Sequence, residues 1–167
     1  MTRLFFALWP DTPLREQLAD YSASCVWPRE AKPVAAADFH LTLRFVGNLD
    51  LAQVEPLQGL RAPDFVAFPL LFGQPELWGE VAVLRPSMAS AALLELQAAL
   101  DAQLSALGLS AHNRSFQPHV TLARRASDAL LPPPSAIAWQ VKAFYLAASL
   151  PSATGRYRIL QTYGARE

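Results

Sequence analysis

The chain opens on an almost unbroken apolar and aromatic run, Arg3 to Trp9, which predicts a first β-strand. Thr12 follows as a helix N-cap with Pro13 at the first helical position, and Leu14, Leu18, Tyr21 and Cys25 recur at helical spacing as far as Val26. The proline-punctuated stretch WPREAKPVAAAD reads as a loop, and Phe39 to Val46 as a strand closed by Gly47-Asn48. A short helix is expected over Leu51 to Leu60, weakened by Pro56. Strands are expected at Phe65–Phe72 and Val81–Leu84, with Gly73, Pro75 and Gly79 marking turns. The clearest helix runs from Ser87 to Leu107: Leu93, Leu96, Leu100, Leu104 and Leu107 share one face, and Gly108 stops it. A strand around His119 to Arg124, the linker LPPPS, and strands near Trp139–Leu146 and Tyr157–Thr162 complete the pattern.

In both halves a long helix leads through a loop into a strand that begins with the same letters. This order predicts an α+β fold of two related lobes, with antiparallel or mixed sheets rather than a doubly wound parallel one. A length of 167 residues suits one substantial core, and the whole chain, 1–167, is read as a single domain made of the two lobes.

Composition narrows the possibilities. With 52% apolar and 17% charged residues the chain is not disordered. No apolar run approaches the roughly 18 residues that span a bilayer, and the first residues lack a signal-peptide cleavage region. Cys25 is alone, so neither an internal disulfide nor a thiolate cage is available; it reads as a small buried hydrophobe in a cytoplasmic protein. Formal charge is zero, which disfavours long nucleic acid as a partner. The charge is unevenly spread: residues 45–110 carry two basic and seven acidic side chains, and residues 111–167 carry seven basic and two acidic ones. The basic part suits a small or terminal phosphate.

The chemistry rests on a repeated phrase. His40-Leu41-Thr42-Leu43 and His119-Val120-Thr121-Leu122 stand 119 − 40 = 79 residues apart in a chain with only three histidines. With six threonines and 27 leucines, two such matches arise by chance with a probability of order 10⁻⁴. The third histidine, His112, reads as a solvated loop residue. Strand alternation puts His40 with Thr42, and His119 with Thr121, on one face, while Leu41, Leu43 and Phe45, like Val120 and Leu122, point into the core. Brought together, two imidazoles can pass protons to and from groups on phosphorus, and two hydroxyls can donate to its non-bridging oxygens. A strained 2′,3′-cyclic phosphate fits this equipment and needs no metal. No carboxylate or third histidine stands at zinc-ligand spacing, so no metal or other cofactor is expected.

The stretches RLFFAL, FHLTLRFVGN, FQPHVTLARR and SLPSATGRYRIL resemble, in order and spacing, the bacterial and archaeal RNA 2′,3′-cyclic phosphodiesterase or 2′-5′ RNA ligase family of the two-histidine phosphoesterases. The resemblance spans essentially the whole chain, although residues 51–110 match only in element order. It implies a bilobal, duplicated α+β fold with helices packed outside and a central cleft lined by one motif from each lobe. It also implies opening of RNA or nucleotide 2′,3′-cyclic phosphate ends to 2′-phosphates, with ATP-independent 2′-5′ ligation as the reverse reaction. His40 would be the proton donor to the leaving 3′-oxygen and His119 the base acting on water, while Thr42 and Thr121 hold the phosphate. The family pattern puts a cation at Arg124, although strict alternation would aim Arg125 into the cleft; a bulge would turn Arg124 inward. Arg44 shares the parity of His40 and is a second candidate cation, and Phe116 is a candidate to flank a base. RNA ends or small nucleotides are the expected partners of a monomer. Other cyclic phosphates, such as an ADP-ribose cyclic phosphate or a 2′-5′ oligoadenylate, and a non-catalytic module that grips a phosphate end, are the competing readings.

Overall fold

The computed structural model describes residues 2–109, 115–134, 136–152 and 155–167, so His112 lies outside the described residues. In chain order the elements are β1 (Thr2–Leu8), α1 (Thr12–Ser24), β2 (Lys32–Pro33), a 3₁₀ turn (Ala36–Asp38), β3 (Leu41–Leu49), α2 (Leu51–Gln58), β4 (Phe68–Trp78), β5 (Val81–Pro86), α3 (Ala91–Ala106), β6 (Val120–Arg124), β7 (Ile137–Val141), β8 (Ala143–Ser152) and β9 (Gly155–Gly164). The class is α+β, as the pattern predicts.

The two expected sheets are the halves of one curled sheet. Its strand order is β7-β4-β5-β6-β3-β1-β8-β9, with β2 pairing β6, and every pairing between these strands is antiparallel. The halves meet through a single residue pair, Leu41 with Val120, at the β3–β6 junction. Helix α1 lies against β7, while α2 and α3 lie against β3.

One face of the sheet closes a large apolar core that draws on both halves, from Leu4 and Phe6 of β1 to Leu84, Leu122, Trp139 and Phe144. Leu93, Leu96, Leu100 and Leu104 of α3 point into it, and burial of each contributes about 1.5–3 kcal/mol. The opposite, concave face carries a small separate cluster: Phe5, Ala7 and Ala147, flanked by Trp9 and Tyr157.

Several local expectations change. The cap of α1 is Asp11, whose Oδ1 accepts from the Leu14 amide, so Thr12 is already helical. Helix α3 starts after Ser90, whose hydroxyl caps Leu93, rather than at Ser87. The apolar run near Trp139–Leu146 is two strands on opposite halves of the sheet, β7 and β8, joined through Lys142. Strand β3 continues through Gly47 at a φ of +109°, a conformation that side-chain-bearing residues rarely adopt. Cys25 is buried as expected, its thiol donating to the Tyr21 carbonyl, and burial pushes its pKa up.

Candidate active site

The junction between the halves is where the two repeated phrases meet. Leu41 and Val120, each following a motif histidine, are register partners and both point into the core. His40 and His119 directly precede the two paired residues, near enough for the charge of His119 to act on His40, and Arg124 acts on both rings. The strands share only this one pair, so the two halves of the sheet are joined at a single point beside the histidines.

Both rings are held alike. His40 Nδ1 lies 2.7 Å from the Asp38 carbonyl, and His119 Nδ1 lies 2.8 Å from the Gln117 carbonyl. A carbonyl can only accept, so each Nδ1 carries a proton and acid–base exchange falls to the other ring nitrogen, Nε2. Their surroundings differ. His40 is stacked on Trp9 at 4.8 Å and 13°, with Phe5 at 5.1 Å and Tyr157 at 5.0 Å. His119 meets the edge of Trp78 at 4.7 Å. Arg85 lies over that indole at 5.9 Å and is ion-paired with Glu76, which also accepts from Trp78 Nε1.

Burial holds both imidazole pKa values below the ordinary range. At His40 the Asp38 carbonyl and the Asp38 carboxylate act in the opposite direction, while His119 and Arg124 add to the lowering. At His119 the Gln117 carbonyl opposes burial, and Arg85 and Arg124 both reinforce it.

Arg124 is thus felt by both rings, and the reason is a bulge. Val83 pairs with Thr121 while Ala82 pairs with Ala123, so Leu122 is an extra residue in β6 and Arg124 regains the face of Thr121. Arg125, just past the strand, takes a φ of 51°.

A second bulge corrects the expectation for Arg44. Ala7 pairs with Thr42 and Phe6 with Arg44, so Leu43 is an extra residue and the parity after it reverses. Arg44 consequently leaves the cleft face. It is buried, pairs with Asp101 of α3 and donates to the Leu109 carbonyl at 2.7 Å. Phe45, expected in the core, is instead 47% exposed and packs on Phe5, with the Arg3 guanidinium over its ring. Phe116 is half-buried, packs against the main core and lines a groove that also contains Arg85.

Thr42 and Thr121 are half-buried on the face of the two imidazoles. Sequence reasoning missed Phe5, Trp9, Trp78, Arg85 and Asp38. For Asp38 the available signal was its place two residues before His40, where Gln117 precedes His119. Among the described residues no group of three or more His, Cys, Asp or Glu side chains could hold a metal, and no helix is long and apolar enough to cross a membrane.

Known proteins resemble the chain in sequence and fold. The chain is 35% identical over 164 residues to the RNA 2′,3′-cyclic phosphodiesterase of Escherichia coli K12, an alignment covering 93% of this chain and 91% of that one. The crystal structure of E. coli LigT in its apo form superposes with a TM-score of 0.87 at 32% identity, covering 99% of this chain and 98% of that one. LigT complexed with 3′-AMP superposes with a TM-score of 0.86 at 31% identity, covering 99% of each chain. Residues 11–153 match the 2′-5′ RNA ligase superfamily, and with most of its length, its fold and its relatives in agreement the chain belongs to that family.

Proposed function

We propose that the chain hydrolyses the 2′,3′-cyclic phosphate of an RNA or nucleotide end to a 2′-phosphate, by paired imidazole acid–base catalysis. The observation that carries this is the matched tethering of His40 and His119. Each Nδ1 is committed to a carbonyl two residues upstream, which assigns proton exchange to Nε2, and the two histidines directly precede the paired Leu41 and Val120. In the reaction His119 Nε2 takes a proton from water as its oxygen bonds to phosphorus. The P–O3′ bond breaks in line, and His40 delivers its Nε2 proton to the departing 3′-oxygen. Thr42, Thr121 and Arg124 donate to the non-bridging oxygens as charge grows there, the contribution that is usually largest in such sites.

The Asp38 carboxylate supports giving the acid role to His40, since it favours the imidazolium there, and no carboxylate does so at His119. The relative named as an RNA 2′,3′-cyclic phosphodiesterase and the relative complexed with 3′-AMP support the substrate class. Ligation is the same displacement with a 5′-hydroxyl in place of water. The two lobes work as one domain, 1–167, in a cytoplasmic monomer.

EDTA-treated protein is expected to open a 2′,3′-cyclic phosphate with a single new 2′-phosphate signal by phosphorus NMR. His40→Ala and His119→Ala each lower the rate by about 10²–10⁴-fold. A 3′-phosphate product, or unchanged turnover in both variants, would exclude this mechanism.

A further inference from the structure

A groove of about 520 Å³ is bounded by Trp9, the start of α1, Gln140 and Lys142 at the β7–β8 link, Tyr145 and Ile159. Two observations join it to the imidazoles. Trp9 stacks on His40 and also lines the groove. Ala7 is the register partner of both Thr42 and Tyr145, so Tyr145 stands on the cleft face two strands, or roughly 10 Å, from Thr42. A nucleoside bonded directly to a phosphate at His40 fills that interval. The groove therefore lies one nucleotide farther along a chain, and its volume falls in the range that holds small organic ligands. Its chemistry suits a nucleotide: the indole of Trp9 and the phenol of Tyr145 offer flat faces, Gln140 offers an amide, and Lys142 carries an exposed ammonium. The one carboxylate in its wall, Asp11, is engaged in capping α1.

We propose that this groove binds the nucleotide preceding the cyclic-phosphate end, with its base against Trp9 and Tyr145 and the linking phosphate at Lys142. The inference rests on the cyclic-phosphate reading above and narrows it: the substrate class becomes RNA ends of two or more nucleotides rather than free cyclic mononucleotides.

The test compares kcat/KM for a mononucleoside 2′,3′-cyclic phosphate with that for a dinucleotide ending in the same group. The unmodified protein is expected to prefer the dinucleotide by about tenfold or more, the scale of one stacked base. Lys142→Glu and Gln140→Ala lower that ratio toward one, and raised salt does the same in the unmodified protein. Equal kcat/KM on both substrates, or a preference untouched by the variants, would overturn the groove. If neither substrate turns over, the cyclic-phosphate reading has failed instead. Calorimetric binding of the corresponding mono- and dinucleotide 2′-phosphates then decides the groove by the same ratio and the same variants.

Discussion

Replacing Arg44 by methionine distinguishes a structural cation from a phosphate-binding one. The substitution keeps most of the apolar stem and removes the guanidinium. Three interactions are lost, the weakest a 3.3 Å hydrogen bond to the neighbouring Phe45 carbonyl. The Leu109 carbonyl gives up its 2.7 Å donor, and an unpaired buried acceptor costs about 1–3 kcal/mol. Asp101 loses its partner as well; for fully buried pairs such a loss costs about 3–5 kcal/mol, but the Asp101 side chain is 34% exposed and water recovers much of that. A net destabilisation of about 2–4 kcal/mol follows. For a chain of this length total stability is on the order of 10–20 kcal/mol, so the variant still folds. In urea the midpoint is expected to fall by about 1–2 M. A double-mutant cycle with Asp101→Leu should give a coupling of at least about 0.5 kcal/mol, as for residues in direct contact. Below the unfolding transition kcat/KM is expected to stay within about twofold. An unchanged urea midpoint together with a hundredfold loss of kcat/KM would put the guanidinium in the cleft and refute the bulge at Leu43.

The two arginines after the second motif separate in the same way. Arg124→Ala is expected to lower kcat/KM by about 10²-fold, the usual effect of removing one donor to developing charge, whereas Arg125→Ala leaves it within about twofold; the reverse pattern would mean that Leu122 is not the extra residue. Asp38→Asn removes the one negative charge that favours the His40 imidazolium, so the His40 pKa falls further below its ordinary range. Loss of the acid's proton sets the basic limb of the kcat/KM profile, and this limb should move to lower pH while the acidic limb, set by His119, stays in place.

Strand alternation was readable where the ladder is regular. Over His40 to Thr42, and over His119 to Thr121, two-residue periodicity puts the polar pair on one face and the apolar residues behind it. It fails one residue later in both motifs, at Leu43 and Leu122, because each is an extra residue opposite a regular neighbour. At Leu43 the bulge is held from outside the strand. The α3 side chain of Gln97 donates to the Leu43 carbonyl, and Arg44 is drawn to Asp101 and Leu109. These partners lie more than fifty residues away, so nothing local marks the reversal, and Phe45 is read as core for the same reason. At Leu122 the same reversal puts Arg124, rather than Arg125, on the face of Thr121, which simple parity does not predict. The division of Trp139–Leu146 into two strands is equally hidden. Both halves of the run are apolar, and Lys142 does not interrupt them with any turn residue.

The roles of the two histidines cannot come from the repeated letters, since a displacement at phosphorus needs one ring protonated and the other free. The difference lies in what surrounds two equal motifs. Both tethering carbonyls come from the residue two places upstream, but that residue is aspartate in one copy and glutamine in the other. Asp38 is buried, and its Oδ1 accepts from the Arg156 amide, so its charge is fixed beside His40 rather than free to swing into solvent. Among the described residues the charges that act on His119 are those of Arg85 and Arg124. Burial lowers both rings and Arg124 acts on both in the same direction, so the contribution that sets His40 apart is the Asp38 carboxylate. That carboxylate is what supports the proposed donor role of His40: two motifs with the same letters would take distinct acid and base roles from a carboxylate beside one ring and Arg85 beside the other.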